Sequence, residues 1–215
     1  MADEEDVMSP AWQTVALGDV ATLNRATIAP ADIRQGTAFV GLENIRSGGG
    51  FEGVGHADAA ELLSCKFAFT KEHILFGKLR PYLAKVALPE FDGVCSTDIV
   101  PILPGPRLDR RYLGHFLLMP ETTAIAANRA TGANLPRLSA RILLTFKVPL
   151  PPLDEQRRIA AVLDKAEEPR AKRRAALALF GTLPQAIFLD MFGDPAINPK
   201  LWPLTSLGEL VADGP

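Results

Sequence analysis

Val148-Pro-Leu-Pro-Pro-Leu-Asp-Glu-Gln-Arg-Arg-Ile-Ala-Ala-Val-Leu-Asp-Lys-Ala-Glu-Glu168 is the stretch whose reading decides the fold. An extended apolar run ends in prolines, an acidic turn follows, and a helix begins. Asp154 and Glu155 stand in its first turn, where carboxylates favour the positive end of the helix dipole. Ile159, Val162, Leu163 and Ala166 then line one side, while Arg157, Arg158, Asp164, Lys165 and Glu167 cover the other. A helix patterned in this way requires a partner face. A second helical stretch, from about Arg170 to Met191, carries Leu177, Phe180, Leu183, Ile187 and Phe188. Pro169 and Pro184 interrupt it, and each is expected to kink or break the rod because proline removes a backbone donor. The junction therefore divides the chain into a globular domain over 12–150, a helical spacer over 151–192, and a tail over 193–215.

Upstream the pattern is short and mixed. Thr37–Gly41, Tyr82–Leu88 and Val94–Leu103 are rich in β-branched or aromatic residues and bounded by Gly, Pro and Asp, which predicts strands. Leu108, Tyr112, Phe116 and Met119 recur at helical spacing, so 108–119 is expected to be an amphipathic helix. Ser139 is placed to cap a short helix, Ala140 to Leu144. The fold class is α+β: a globular mixed domain followed by a long, coiled-coil-like helical spacer. Trp12-Gln-Thr-Val-Ala-Leu-Gly-Asp-Val20 and Trp202-Pro-Leu-Thr-Ser-Leu-Gly-Glu-Leu210 share the spacing W-x4-L-G-[DE]-[VL]. So long a period implies a repeated domain rather than a solenoid, and the tail reads as the start of a second copy.

Composition sets outer limits. At 215 residues the chain holds one large domain or one domain plus an appended element. No window approaches eighteen uninterrupted apolar residues, so no membrane is expected. The start, MADEEDVMSP, lacks the basic and apolar regions of a signal peptide, which predicts a cytoplasmic protein. Cys65 and Cys95 are too few for a disulfide framework and are expected to be small buried residues. The net charge of −2 hides a division along the chain. Residues 1–65 carry three Arg against ten Asp or Glu, whereas residues 66–147 carry twelve Lys or Arg against six acids. That basic middle segment fits either an electrostatic footprint for phosphates or a solvated face.

Several motifs tempt and fail. Phe51-Glu-Gly-Val-Gly55 matches the F-x-G-x-G of adenine methyltransferases, yet the companion [DN]-P-P-[YF] is absent from the chain, which leaves a glycine-rich turn. Gly77-Lys78-Leu79 has Leu where a phosphate loop needs Ser or Thr. His56, His73 and His115 are scattered, so no metal site is expected. Cys95 or Ser96 with His73 are residue types of a nucleophile pair, but buried or capping roles suit them better; no catalytic residue is assigned. Two basic stretches survive. Phe76–Lys85 interleaves Lys78, Arg80 and Lys85 with Tyr82, and Asn128–Ser139 is a polar loop carrying Asn128, Arg129, Asn134 and Arg137. Both hold the side chains that contact phosphates and base edges.

Together Ile74–Lys85, Ala130–Ser139, Val148–Ile159 and Met191–Trp202 closely resemble the DNA-specificity subunit of type I restriction-modification systems. The likeness spans roughly residues 12–211, and P-L-P-P-L-x-E-Q-x-R-I is its most specific part. The resemblance implies a target-recognition domain followed by a long helix, with two such halves associating through their helices to read a split site on double-stranded DNA. It implies no catalysis and no cofactor here: partner DNA adenine methyltransferase subunits use S-adenosylmethionine, and a restriction subunit uses ATP. The resemblance then implies either a half-length chain that works as a homodimer through Ile159, Val162, Leu163, Ala166, Leu177 and Phe180, or a fragment of a longer chain that carries the second domain.

Residues 12–150 are thus expected to recognise one half-site, with Lys78, Arg80, Lys85, Asn128, Arg129, Asn134 and Arg137 as candidate contacts. Arg80 and Asn134 are the expected base readers, since arginine pairs bidentately with guanine and asparagine with adenine. Two other readings are carried forward. One is a free-standing S-adenosylmethionine-dependent DNA-modifying enzyme using F-x-G-x-G; the other is a purely structural assembly protein.

Overall fold

The structure, a computed structural model, describes residues 12–56 and 64–212; the acidic N-terminal decapeptide lies outside them. The chain divides into two compact units between Leu163 and Asp164. The boundary falls inside the long helix rather than at Leu150, so the first turns of that helix belong to the globular unit.

In the first unit, strands β1 (Thr14–Ala16), β2 (Ala21–Leu23), β3 (Thr27–Ile28), β4 (Ala38–Val40), β5 (Gly55–His56) and β6 (Lys66–Phe69) are followed by β7 (Ile74–Gly77), β8 (Val86–Ala87), β9 (Gly93–Cys95) and β10 (Ile99–Pro104). Helices α1 (Arg110–Leu118), α2 (Pro120–Asn128) and α3 (Ala140–Leu143) precede β11 (Lys147–Pro149) and the start of α4 (Leu153–Phe192). The strands form three sheets: β1-β11, β2-β10-β7-β8 and β3-β6-β9-β4-β5. Pairing among the described strands is antiparallel except between β4 and β9.

The near-continuous apolar runs of β7 and β10 follow from burial on both faces. On one face Ile74, Phe76, Val100 and Ile102 join Leu113 and Leu117 of α1 and Ala126 of α2 in the main core. On the other, Leu75 and Ile99 pack with Val40, Phe67, Phe69 and Cys95 of the five-stranded sheet. The four-stranded sheet is therefore the middle layer, with helices on one side and the second sheet on the other. The expected α1 is present, capped by Asp109, whose carboxylate accepts the N–H groups of Arg111 and Tyr112. Ser139 caps α3 through Ile142 N–H, as its position implied.

The junction between the extended run and the long helix is built around Gln156, which is fully buried. Its Nε2 donates to the carbonyls of Arg107 at 3.0 Å and Pro151 at 2.8 Å, and its Oε1 accepts the Asp109 N–H at 2.8 Å. One carboxamide thus joins the end of β11, the start of α4 and the cap of α1. Tyr112 reinforces the joint by donating its hydroxyl to the Pro149 carbonyl. Ala160, also fully buried, packs one turn further on.

Several expectations are corrected. Val94–Leu103 is two strands, because a turn in which Ile99 N–H donates to the Ser96 carbonyl carries the chain from the outer sheet to the middle one. Of Tyr82–Leu88 only Val86–Ala87 is extended; Pro81–Leu83 forms a 3-10 turn between Arg80 and Ala84, both left-handed at φ 51° and 47°. Cys65 is exposed, whereas Cys95 is buried as expected. Helix α2 has no apolar stripe and was not foreseen.

In the second unit α4 runs through Pro169 and Pro184 without a break. The carbonyls that lose a partner, those of Lys165 and Phe180, belong to exposed residues, a setting in which solvent can take the place of the missing donor. Exposed pairs Arg170–Glu167 and Lys172–Glu168 support this stretch by a few tenths of a kcal/mol each. The helix ends at Gly193, left-handed at φ 80°. Lys200 Nζ donates to the carbonyls of Asp190 and Met191, and Trp202 Nε1 to that of Phe192, satisfying last-turn acceptors. Within the tail α5 (Leu207–Ala212) stands where the first copy forms a 3-10 turn, Leu17–Asp19. Leu17 is fully buried, yet its counterpart Leu207 is 77% exposed.

Among the described residues one helix is long and apolar enough to cross a membrane by length and composition alone, although it holds no uninterrupted apolar run of that length. An 18-residue window of α4 has a mean hydropathy of 1.5, enough for a span, and none of it is buried. A helix that docks on a partner helix passes the same test.

Replacing Gln156 by Ala orphans two carbonyls and one N–H at a buried site. The expected loss is roughly 2–4 kcal/mol of unfolding free energy, read as a lowered midpoint in chemical denaturation. Gln156→Glu is expected to be at least as damaging, because it turns an oxygen toward the Arg107 and Pro151 carbonyls.

Candidate nucleic-acid interface

Strand β7 ends at Gly77, and the chain then crosses an eight-residue connection to β8 that holds Lys78, Arg80 and Tyr82. Fifty residues later, the loop after α2 returns to the same place. Leu138 N–H donates to the Lys78 carbonyl at 2.9 Å, and Arg80 N–H donates to the Pro136 carbonyl at 2.8 Å. Leu79 and Arg137 face each other across an antiparallel bridge, and Thr131 pairs with Arg137 on the other side. The two stretches singled out in the sequence are therefore one surface.

Burial fixes that surface. The Leu138 side chain is buried in the main core, worth about 1.5–3 kcal/mol relative to exposure. Gly132, at φ 110°, closes the loop tip; a Cβ there would lie 2.9 Å from the Leu135 carbonyl oxygen, so a larger residue is barred twice over. Asn134 and Leu135 are left exposed at the tip. The Ser47–Gly50 turn adjoins the other end, since Gly48 N–H donates to the Leu83 carbonyl and Gly50 N–H to that of Val86.

The candidate contacts do not all share this rim. Lys78, Arg80, Asn134 and Arg137 do. Asn128 is exposed at the end of α2, a helix that packs on the Pro81–Leu83 turn. Arg129 turns away, toward the Thr145 hydroxyl, and lines a separate apolar groove of about 550 Å³ with Trp12, Phe116, Met119 and Ile125. Lys85 is a correction: its Nζ points inward to the carbonyls of Leu42, at 2.7 Å, and Ile45, which leaves it no reach toward a phosphate.

Other cations of the basic segment are used in the same way. Arg110 donates to the carbonyls of His73 and Pro89 and pairs with Glu90, and Lys66 donates to Ser64. The segmental charge of the sequence thus overstates the charge available to a ligand. What sequence reasoning missed is Asp98, an acid on the basic rim. It pairs with Arg137, Nε to Oδ1 at 3.1 Å, while its backbone carbonyl accepts the Lys78 N–H. An Asp two residues after a strand-ending Cys-Ser carried no sequence signal.

The structure disfavours catalysis by the residues considered. Burial pushes the Cys95 thiol up to about 12, which keeps it protonated and unreactive. Burial also lowers the pKa of His73, whose Nδ1 accepts the Thr70 N–H. Phe51-x-G-x-G55 leads into β5, a two-residue edge strand antiparallel to β4, rather than following a parallel strand at a cofactor crevice. Among the described residues no group of three His, Cys, Asp or Glu is arranged to hold a metal.

Comparison with known proteins places this geometry. Residues 10–173 match the family model described as type I restriction modification DNA specificity domain. The chain is 34% identical over 133 residues to the type I restriction enzyme EcoDI specificity subunit of Escherichia coli, covering 60% of this chain and 30% of that protein. It is 27% identical over 79 residues to the EcoR124I/EcoR124II specificity subunit of the same species, covering 37% and 20%. The HsdS subunit from Thermoanaerobacter tengcongensis matches with a TM-score of 0.63 at 25% identity, over 91% of this chain and 52% of that one. A chain from a structure of the type I R-M system shares the fold, with a TM-score of 0.65 at 24% identity over 94% and 55%. The chain spans about half the length of those solved chains, and its matches cover less than a third of the curated subunits.

Removing Lys78 (Lys78→Ala) is expected to weaken binding to duplex DNA across all sequences. It should also flatten the dependence of log affinity on log salt by about 1 for each phosphate no longer neutralised, as measured by fluorescence anisotropy. Lys85→Ala is expected instead to lower stability by about 1–3 kcal/mol, with the salt slope of DNA binding unchanged.

Proposed function

The chain belongs to the type I restriction-modification DNA specificity family, and on that footing we propose that it is a sequence-reading subunit that directs partner enzymes to DNA. The observation that carries this reading is the rim on which Lys78, Arg80 and Arg137, drawn from two distant segments, are locked by backbone hydrogen bonds, with Asn134 exposed at the loop tip between them. Cations at phosphate-contact positions supply affinity, and polar side chains on a rigid loop supply readout of base edges. One such domain covers one short half-site.

Helix α4 supplies the second part of the proposal. Its apolar positions Val162, Leu163, Leu177 and Phe180 are exposed, Phe180 by 66%, and Ala166 is exposed among them. Ile159 is partly engaged with the main core, so it belongs more to the joint than to an outside partner. We assign the exposed positions to contacts with a second copy of the chain and with methyltransferase subunits; a homodimer then presents two recognition domains to a split site. A restriction subunit joins the assembled complex. Methyl transfer from S-adenosylmethionine and ATP-driven cleavage belong to those partners, and this chain contributes no catalytic group or cofactor. The complex acts in the cytoplasm.

Solution mass tests the assembly. Light scattering of the full chain with a type I methyltransferase subunit is expected to give complexes containing two copies of the chain. Phe180→Glu, which places a carboxylate on the contact face, is expected to give complexes with one copy and unchanged secondary structure. One copy in the wild-type complex contradicts pairing through α4.

A further inference from the structure

We propose that Arg137 reads a guanine and that Asp98 holds it in register, which makes an acid on the basic rim a specificity-determining residue. The inference rests on the DNA-recognition reading above.

Three observations point to it. First, the Arg137 backbone is clamped on both sides: it exchanges two hydrogen bonds with Thr131, at 2.8 and 3.0 Å, and faces Leu79 across a bridge flanked by the Arg80–Pro136 and Leu138–Lys78 bonds. Its side chain therefore starts from a fixed point. Second, Asp98 grips the guanidinium side-on, with Nε on Oδ1 at 3.1 Å and Nη2 on Oδ2 at 3.5 Å. Asp98 is itself fixed, because its N–H donates to Ser96 Oγ and its carbonyl accepts from Lys78. Third, the Arg137 side chain remains 49% exposed. Side-on pairing uses Nε–H and one Nη2–H, so the end-on edge, formed by Nη1 and the second Nη2–H, meets no partner among the described residues. That edge is the fork that matches guanine O6 and N7.

Charge separates this role from plain attraction. A carboxylate beside a phosphate-binding surface weakens non-specific affinity, so its presence on the rim is explained by orientation and not by steering. Pre-setting the fork removes rotamer entropy that the side chain would otherwise lose on binding. Lysine cannot replace it, since a point charge lacks two parallel donors.

The test is selection of bound sequences from a pool of randomised duplex DNA by the full chain, comparing wild type, Asp98→Ala and Arg137→Lys. The wild type is expected to select a motif containing a guanine whose preference falls roughly 5- to 150-fold in both variants at the same position, with the other positions unmoved. Binding of Asp98→Ala to a scrambled duplex is expected to be no weaker than that of wild type. Preferences that change at no position, evenly at all positions, or at different positions in the two variants overturn the proposal. Should Asp98→Ala fail to fold, Arg137→Lys with Asp98→Asn carries the same comparison. A wild-type chain that selects no motif overturns the DNA-recognition reading itself, an outcome distinct from the failure of this pair.

Discussion

The carboxamide of Gln156 holds the first turns of α4 against the rest of the globular unit. Two carbonyls and one N–H converge on it inside the core, from two distant pieces of chain: the 105–109 connection, which ends in the cap of α1, and the Pro151 turn. An amide is the side chain that can donate twice and accept once in such a place. Without it three buried polar groups lose their partners, and the direction in which α4 leaves β11 is no longer determined. Because Tyr112 on α1 also reaches the Pro149 carbonyl, the joint couples the helix that covers the main core to the one that leaves it.

From that joint the middle sheet is positioned, and from the middle sheet the rim. Strand β7 is buried on both faces, so the connection that follows Gly77 cannot drift, and the loop ending in Leu138 is pinned to it by paired backbone bonds. The left-handed Arg80 and Ala84 mark where the chain is bent to stay there. The same economy governs charge. Lys66, Lys85 and Arg110 hold backbone carbonyls in place, which leaves a small set of cations on the rim and one acid, Asp98, that orients rather than attracts. A recognition surface of this kind depends on the placement of a few donors more than on net charge.

Much of this was legible in the sequence, for reasons that can be named. The proline-acid-helix junction, the periodic α1, the capped α3 and the long helix all follow local rules of dipole, cap and periodicity. The two basic stretches were visible by composition. Their meeting was not, because pairing across fifty residues leaves no local pattern. Nor was the inward turn of Lys85 readable, since the carbonyls it serves, Leu42 and Ile45, lie far upstream. Pro169 and Pro184 misled because the cost of proline in a helix depends on whether the abandoned carbonyl meets water. Gln156 sat in plain view within the junction, yet its alternation with charged neighbours reads as surface until the cap of α1 is placed against it.

The central claim is that the segments around Lys78 and Arg137 form one DNA-facing surface. Amide hydrogen exchange of the full chain, with and without duplex DNA, tests it most directly. The account predicts added protection at 78–84 and 131–137 together, with the β3–β6 edge of the outer sheet unchanged. Protection of one segment without the other, or of neither while the outer sheet is protected, would contradict it.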